Sequence, residues 1–314
     1  MARVSVVVPT YDRPEQLPGA IESALAQTLA DVEVVVVDDG SPEPYAADVV
    51  ADYPDAVRCL RHERNRGLSA ARNTGIEHAE GDFVAFLDDD DRWHPTKLDR
   101  QVAALEAAPA AGMATCLLAA VSPEGDLLRC EGAKPDGDIL DAILVRNVVG
   151  SPSRVLVEPT VFDAVGTFDE SLPTKQDWDF YVRLCTEYDV VCVDDVLCYR
   201  TIHPSMSSSP AAAREDNRRV IDKHESLVRD RGRYERTMAA YYANVGRTYL
   251  ENDRPTEARR YLRKSLAADF RPWHAAMFLL TFLGAGGSQA VVDAKRTVER
   301  WLHCRDVSLP SLES

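Results

Sequence analysis

Residues 83–91 read FVAFLDDDD, a short apolar run that passes without a spacer into four aspartates. The same arrangement occurs twice upstream. VSVVV (4–8) runs into Pro9-Thr10-Tyr11, and EVVVV (33–37) runs into Asp38-Asp39-Gly40-Ser41. Continuous β-branched runs of this length suit strands buried on both faces, and therefore a parallel sheet. Helical stretches lie between them. Asp12-Arg13-Pro14-Glu15 reads as an N-cap, a first-turn proline and a capping-box glutamate that open a helix. Residues 69–79 and 95–107 also read as helices. The βαβα alternation predicts an α/β fold with right-handed crossovers. The carboxyl ends of parallel strands share one edge, and ligands bind in the crevice there. The pattern thus gathers two acidic clusters and Thr10 around one crevice.

Outward from this core the chain is less regular. Residues 113–199 carry turn signals at Pro123-Glu124-Gly125-Asp126 and Pro135-Asp136-Gly137-Asp138, as hairpins at a mixed sheet edge would. A helix is expected over 177–188. A Ser/Pro-rich stretch at 203–210 marks a boundary, and the sequence beyond it is helical. There Gly246, Tyr249 and Ala258 sit at offsets resembling one tetratricopeptide unit. One unit cannot form a solenoid, so a small helical appendage is expected. The division is 1–208, with halves of about 1–112 and 113–208, and a helical region 209–314. The run AAMFLLTFLGAGG (275–287) is too short to span a bilayer and reads as a core helix.

Composition narrows the class. Among 314 residues, 51 acids face 36 bases, a net charge of −15, and only six of the bases are lysine. Such a surface disfavours nucleic acid and anionic membrane as main partners. The balance matches adaptation to high salt, and equally a solvated acidic surface. The seven cysteines are scattered with no CxxC pair, so free thiols are expected rather than a zinc site. No signal peptide is expected before the first strand.

Four adjacent carboxylates repel one another and persist only if solvated or holding a cation. Oxygen ligands select hard ions such as Mg²⁺ or Mn²⁺. Neither GxGxxG nor GxxxxGK[ST] is present, so a bound phosphate would need such an ion to neutralise it.

Six stretches occur in a telling order: VSVVVPTYDRPEQL (4–17), VVVVDDGS (34–41), RNRGLSAARNTGI (64–76), AEGDFVAFLDDDDRWHPTKLDRQ (79–101), VGTFDE (165–170) and QDWDFYVRL (176–184). Over roughly residues 3–205 the chain resembles the family 2 glycosyltransferases of GT-A fold. The resemblance implies a Rossmann-like, mostly parallel sheet flanked by helices. It implies that Pro9, Thr10 and Asp39 line a nucleotide pocket, with Asp39 accepting from the base, and that Arg72 reaches the nucleotide. Asp88 and Asp90 match the ends of the DxD motif. Asp88 and Asp89 would face the nucleotide, Asp90 would ligate Mn²⁺ or Mg²⁺ on the diphosphate, and Asp91 would support the turn. Asp177 matches the base of an inverting displacement, and is otherwise a helix N-cap. Gln176 stands where many members carry Glu, and would contact a sugar without charge. His203 either completes the metal or diphosphate site or is a solvated loop histidine. Trp93 and Trp178 either stack on a sugar or pack in the core. Lys97 and Asp179 read as helix-surface and first-turn charges, and Arg72 could instead form a surface ion pair.

The implied activity transfers a sugar from a UDP- or GDP-sugar to an acceptor hydroxyl. The implied acceptor is a growing glycan or lipid-linked saccharide, in the cytoplasm or peripherally at the inner face of the plasma membrane. Two alternatives stand beside it. A sugar nucleotidyltransferase would carry a Gly-rich, basic loop where this chain has Pro9-Thr10-Tyr11. A catalytically degenerate sugar-nucleotide-binding scaffold would not need Asp39, Asp88, Asp90 and Asp177 intact. The sequence leaves the oligomeric state open.

Overall fold

The computed structural model describes residues 3–131, 134–202 and 209–282. Within them the chain forms two compact units, residues 3–139 with 149–202, and residues 140–148 with 209–282.

In the first unit the valine-rich runs are strands β1 (Val4–Thr10), β2 (Val32–Asp38) and β4 (Phe83–Phe86), with β3 (Val57–Arg61) preceding β4. These four strands pair in parallel in the order β3-β2-β1-β4. All seven residues of β1 are buried. Alternation along β2 explains the two-sided burial. Val34 and Val36 join a core with Leu17, Ile21 and Ala24 of α1 (Leu17–Leu25). Val35 and Val37 pack with Ala71 on the opposite face. Helix α2 (Tyr45–Val50) follows β2, and α3 (Leu68–Glu77) precedes β4. At Gly75 of α3 a Cβ would lie 2.2 Å from Cγ1 of Val7, so glycine permits the close approach of α3 to β1.

Beyond β4 come β5 (Arg92–Trp93), α4 (Lys97–Glu106), β6 (Ala111–Val121) and β7 (Leu127–Glu131). Helix α5 (Leu140–Val145) is part of the second unit. The first unit is completed by β8 (Leu156–Val157), α6 (Pro159–Val165), α7 (Gln176–Leu184) and β9 (Asp189–Thr201). The sheet order is β3-β2-β1-β4-β8-β6-β9-β5, with β7 paired to β6. Two-residue β8 is antiparallel to both β4 and β6, while β6 and β9 run parallel. The chain places β2 and β4 on opposite sides of β1, which creates the strand-order reversal that opens a crevice at the carboxyl ends.

Several local expectations are corrected. Helix α1 begins at Leu17 rather than Asp12. Asp12 has φ 53°, and its backbone N–H donates to Ser41 Oγ at 2.9 Å, so it turns the chain across the end of β2 instead of capping a helix. Helix α7 stops at Leu184, short of Tyr188. Strand β3 gave no continuous apolar signal because Arg58 and Arg61 interrupt it. Cys59, Cys116, Cys185, Cys192 and Cys198 are free, whereas Cys130 is disulfide-bonded.

The second unit is helical: α5, α8 (Pro210–Lys223), α9 (Glu225–Asp230), α10 (Tyr234–Glu251), α11 (Pro255–Ala268) and α12 (Pro272–Leu280). Helices α10 and α11 form an antiparallel hairpin. Gly246 admits the Leu262 side chain, Tyr249 stacks on Tyr261 at 5.5 Å, and Ser265 Oγ donates to Ala239 O at 2.8 Å. Thr237 donates to Leu144 O, and Arg233 pairs with Asp141, which tie α5 to α10. Helix α12 is not the core helix its composition suggested. Met277 is buried, but Leu279 and Phe282 are 65% and 59% exposed.

Lys97, expected on a helix surface, is fully buried. Its ammonium donates to Gln101 Oε1 at 2.7 Å and lies 3.8 Å from the centroid of the Trp93 ring. Burial pushes it down to about 8. Its unfolded value is near 10.4, so the folded state favours the neutral amine. The stability that this depression contributes is present at high pH and is lost as pH falls through about 8. Between pH 7.5 and 9.5, Lys97 should therefore add about 1–2 kcal/mol to the unfolding free energy. In Lys97→Met that increment should be missing, as measured by urea titration of both proteins at both pH values.

Candidate functional site

The four aspartates after β4 close a tight turn, in which Asp91 N–H donates to Asp88 O at 3.0 Å. Each side chain has a donor in place. Asp88 accepts from Arg72 Nη2 at 2.6 Å. Asp89 accepts from Thr10 Oγ1 at 2.7 Å and Arg13 Nη1 at 2.9 Å. The same Arg13 nitrogen reaches Asp90 at 3.0 Å. Asp91 accepts from Ser153 Oγ at 2.6 Å and from the Thr201 N–H at 3.2 Å. Ser153 Oγ in turn accepts from Asp88 N–H. Asp89, Asp90 and Asp91 are buried, so the cluster is not a solvated acidic turn. Burial pushes Asp91 well above the usual carboxylate range. It pushes Asp89 up to about 6, against the opposing pull of Thr10 and Arg13.

Among the described residues no group of three or more His, Cys, Asp or Glu side chains converges into a ready-made metal cage. Mg²⁺ and similar ions are commonly held by one or two carboxylates together with substrate phosphates. Asp88 and Asp90 offer hard oxygens of that kind. A cation already bridges Asp89 and Asp90 in the form of the Arg13 guanidinium, so the site accommodates positive charge.

The adjacent edge is organised around Thr10 and Asp39. Tyr45 Oη lies 2.6 Å from Thr10 Oγ1 and accepts from the Arg13 N–H, which places Tyr45, Thr10 and Asp89 in one hydrogen-bonded chain. Pro9 is buried in β1 opposite Val37. Asp39 accepts from the Arg66 and Gly67 N–H groups at 2.9 and 2.8 Å, and lies 2.7 Å from His62 Nδ1. His62 Nε2 lies 2.9 Å from Thr74 Oγ1. Asp39 therefore fastens the turn that launches α3. Beside that turn Asn65, Arg66, Ser69, Glu170 and Pro173 help line a cavity of about 360 Å³.

Helix α3 also anchors the second half of the site. Asn73 exchanges two hydrogen bonds with the backbone of Phe168, Nδ2 donating to its carbonyl and Oδ1 accepting from its N–H, both at 2.9 Å. Ser69 Oγ donates to Asp169 O. Arg72, 2% exposed, lies over the Phe168 ring at 5.5 Å, and Phe168 packs against Phe180 of α7. Asp177 is the second residue of α7, after Gln176 and the N-cap Lys175, which has φ 60°. Burial raises its carboxyl, and the charges of Lys175, Arg72 and Asp88 act on it, so Asp177 shares an electrostatic environment with the β4 cluster. One turn further along α7, the Tyr181 hydroxyl is buried without a hydrogen-bond partner.

Thr10, Asp39, Arg72, Asp88, Asp89 and Asp90 thus lie along one sheet edge, and Asp177 is electrostatically coupled to Arg72 and Asp88. Trp93 does not stack on a sugar as placed. It is 3% exposed, Lys97 covers its ring, and its indole N–H donates to Ser153 O at 2.7 Å. Trp178 is likewise buried, and Gln176 is 5% exposed. Asp179 is a first-turn acid of α7, as expected, and is fully buried against Arg183 at 3.0 Å. His203 lies outside the described residues. Arg13, His62, Asn73 and Ser153 were not singled out from the sequence. Arg13 and Asn73 lie inside quoted motifs, whereas Ser153, in the segment SPSR, carried no signal.

Comparison with known proteins agrees with this architecture. A family profile described as Glycosyl transferase family 2 matches residues 5–130. An uncharacterized glycosyltransferase of Haemophilus influenzae is 29% identical over 211 residues, covering 65% of this chain and 70% of that protein. One from Rickettsia felis is 27% identical over 278 residues, and the match covers 84% of this chain but only 45% of that protein. The succinoglycan biosynthesis protein ExoO of Rhizobium meliloti is 44% identical over 126 residues, covering 40% of this chain and 36% of that protein. Among solved structures, S. aureus TarS 1-349 in complex with UDP-GlcNAc has a TM-score of 0.60 at 18% identity, covering 98% of this chain and 93% of that one. The mannosyltransferase PcManGT from Pyrobaculum calidifontis, in complex with GDP-Man and Mn2+, has a TM-score of 0.61 at 17% identity, covering 96% and 86%. The sheet and these neighbours together show a GT-A fold, and residues 5–130 within it match the family 2 glycosyltransferases.

Proposed function

We propose that the chain moves a sugar from a nucleoside-diphosphate sugar to an acceptor hydroxyl with inversion, Asp177 serving as the base. The observation that carries this reading is the electrostatic coupling of Asp177 to the Arg72–Asp88 pair at the end of β4. A carboxylate that accepts a proton during attack works best when its affinity for protons lies nearer the operating pH, and burial moves Asp177 in that direction. The acceptor hydroxyl loses its proton to Asp177 as its oxygen attacks the anomeric carbon. The developing charge on the leaving diphosphate falls near Arg72 and Arg13. A divalent ion, Mn²⁺ or Mg²⁺, held by Asp90 with Asp88 on the ribose side of the nucleotide, would supply Lewis-acid neutralisation of that diphosphate.

Neighbours of the same fold bind UDP-GlcNAc and GDP-Man, the latter with Mn2+, which supports a UDP- or GDP-linked donor. A relative named for succinoglycan biosynthesis supports a growing glycan or lipid-linked saccharide as acceptor. No helix among the described residues is long and apolar enough to cross a membrane, so access to a lipid-linked acceptor would be peripheral.

Two measurements test this reading. Thermal unfolding with UDP or GDP should shift upward by several degrees when Mn²⁺ or Mg²⁺ is present and much less with chelator, because a ligand that binds only the folded state stabilises it. No shift with either nucleotide and either metal would remove the donor-site assignment. In a donor screen, Asp177→Asn should release nucleoside diphosphate roughly 10²–10⁴-fold more slowly than wild type while keeping the thermal shift. Unchanged turnover would strip Asp177 of its assignment as base.

A further inference from the structure

We infer that Tyr181 is a positioning residue for Asp177, its hydroxyl joining Arg72 to the Asp177 carboxylate in a hydrogen-bonded chain once the donor is bound. The inference rests on the reading of Asp177 as the base. Tyr181 is fully buried, and its hydroxyl has no hydrogen-bond partner among the described residues. Arg72 is 2% exposed, and its Nε–H lacks a partner in the same way. Its Nη2, by contrast, is engaged on Asp88 at 2.6 Å. Buried polar groups are nearly always paired, so an orphan inside a folded protein calls for a functional explanation.

The two orphans are chemically complementary. A guanidinium N–H can only donate, whereas a phenol donates one hydrogen bond and accepts others. Tyr181 can therefore accept from Arg72 Nε and donate to a carboxylate at the same time. Burial holds the phenol well above its usual range, and the Asp177 charge acts in the same direction, so Tyr181 stays a protonated donor. The charges of Arg72, Arg154 and Asp88 also act on this hydroxyl.

Helix α7 supplies the geometry. Asp177 and Tyr181 are four residues apart on it, and hence on one face. Long side chains on a helix lean toward its N-terminus, which carries the Tyr181 hydroxyl back toward the turn that holds Asp177. Asp177 is half-buried and Tyr181 fully buried, so the carboxylate can meet a substrate that the phenol cannot. Arg72 reaches the same helix from α3. Its guanidinium lies 5.5 Å from the centroid of Phe168, which lies 5.0 Å from that of Phe180, the neighbour of Tyr181. The Asn73–Phe168 bonds hold the backbones, so only side-chain ends need move. A diphosphate that draws the Arg72 guanidinium moves Nε together with Nη2, because the group is planar and rigid. A backbone hydrogen bond from Trp178 already acts on the Asp177 carboxylate. Tyr181 adds a second donor and fixes which oxygen faces the acceptor hydroxyl.

The test is Tyr181→Phe, which removes only the hydroxyl, assayed on the whole chain with Mn²⁺ and a panel of UDP- and GDP-sugars. Its melting temperature without ligand should equal or exceed that of wild type, because the hydroxyl has no partner to lose. Its kcat should fall on the order of tenfold or more while KM for the donor stays within about threefold, because a misplaced reacting group costs rate rather than affinity. In the Asp177→Asn background the same substitution should change the residual rate by less than about twofold, since residues that act as a unit are not additive. A ligand-free melting temperature several degrees below wild type, or failure to fold, would reveal a structural partner for the hydroxyl and overturn the inference. So would a kcat within about threefold of wild type, or an equal loss in both backgrounds. Unchanged turnover of Asp177→Asn in the parent chain defeats the base assignment instead, so the two failures are distinguishable.

Discussion

The end of β4 holds four consecutive carboxylates, three of them withdrawn from water, and the rest of the site is arranged around keeping them there. Unpaired buried charge is costly, and breaking one partner of a buried pair typically costs several kcal/mol. The fold meets this by recruiting donors from several elements. Arg72 comes from α3, Thr10 and Arg13 from the end of β1 and the segment after it, Ser153 from the turn before β8, and Thr201 from the end of β9. Four remote stretches of sequence meet at one turn, and the strand order β2-β1-β4 brings them within reach.

Arginine does much of this internal work in a chain whose surface is acidic. Arg72 and Arg154 are nearly or fully buried. Arg154 donates to the carbonyls of Cys116 and Val149, each at 2.6 Å. Arg183 joins Asp179 to the carbonyls of Val165, Gly166 and Thr167. The planar guanidinium fork supplies several donors in fixed directions and is less strongly hydrated than an ammonium, which suits it to bracing loops in the interior. Lys97 is the exception. A buried ammonium with one amide oxygen and one aromatic face is only partly compensated, and its proton affinity drops accordingly.

The sequence was most legible where burial is two-sided. The runs at Val4, Val34 and Phe83 announced parallel strands because every position in them is apolar or small, and polar residues at their ends marked the ligand edge. It was least legible where one side chain carries a long-range bond. Ser153 gives no periodic signal, yet it donates to Asp91 across 62 residues of chain. Asp12-Arg13-Pro14-Glu15 had the composition of a helix start, but contacts to Ser41, Tyr45 and the aspartates outweighed local capping preference. Lys97 was read as a surface charge because helical spacing alone does not reveal a charge facing inward. The convergence of Asp177 with the β4 cluster could be reached only through resemblance, since about ninety residues of intervening chain carry no pattern that sets their separation in space.

The paired bonds between Asn73 and Phe168 carry a mechanical consequence. They act as a clasp between the helix that presents Arg72 and the loop that leads to Asp177. Motion of one must drag the other, so the spacing between Arg72 and Asp177 is preset rather than assembled on demand. Adaptation toward a bulkier sugar would then have to come from segments outside this clasp, because lengthening the 166–170 loop would unlatch the two arms together.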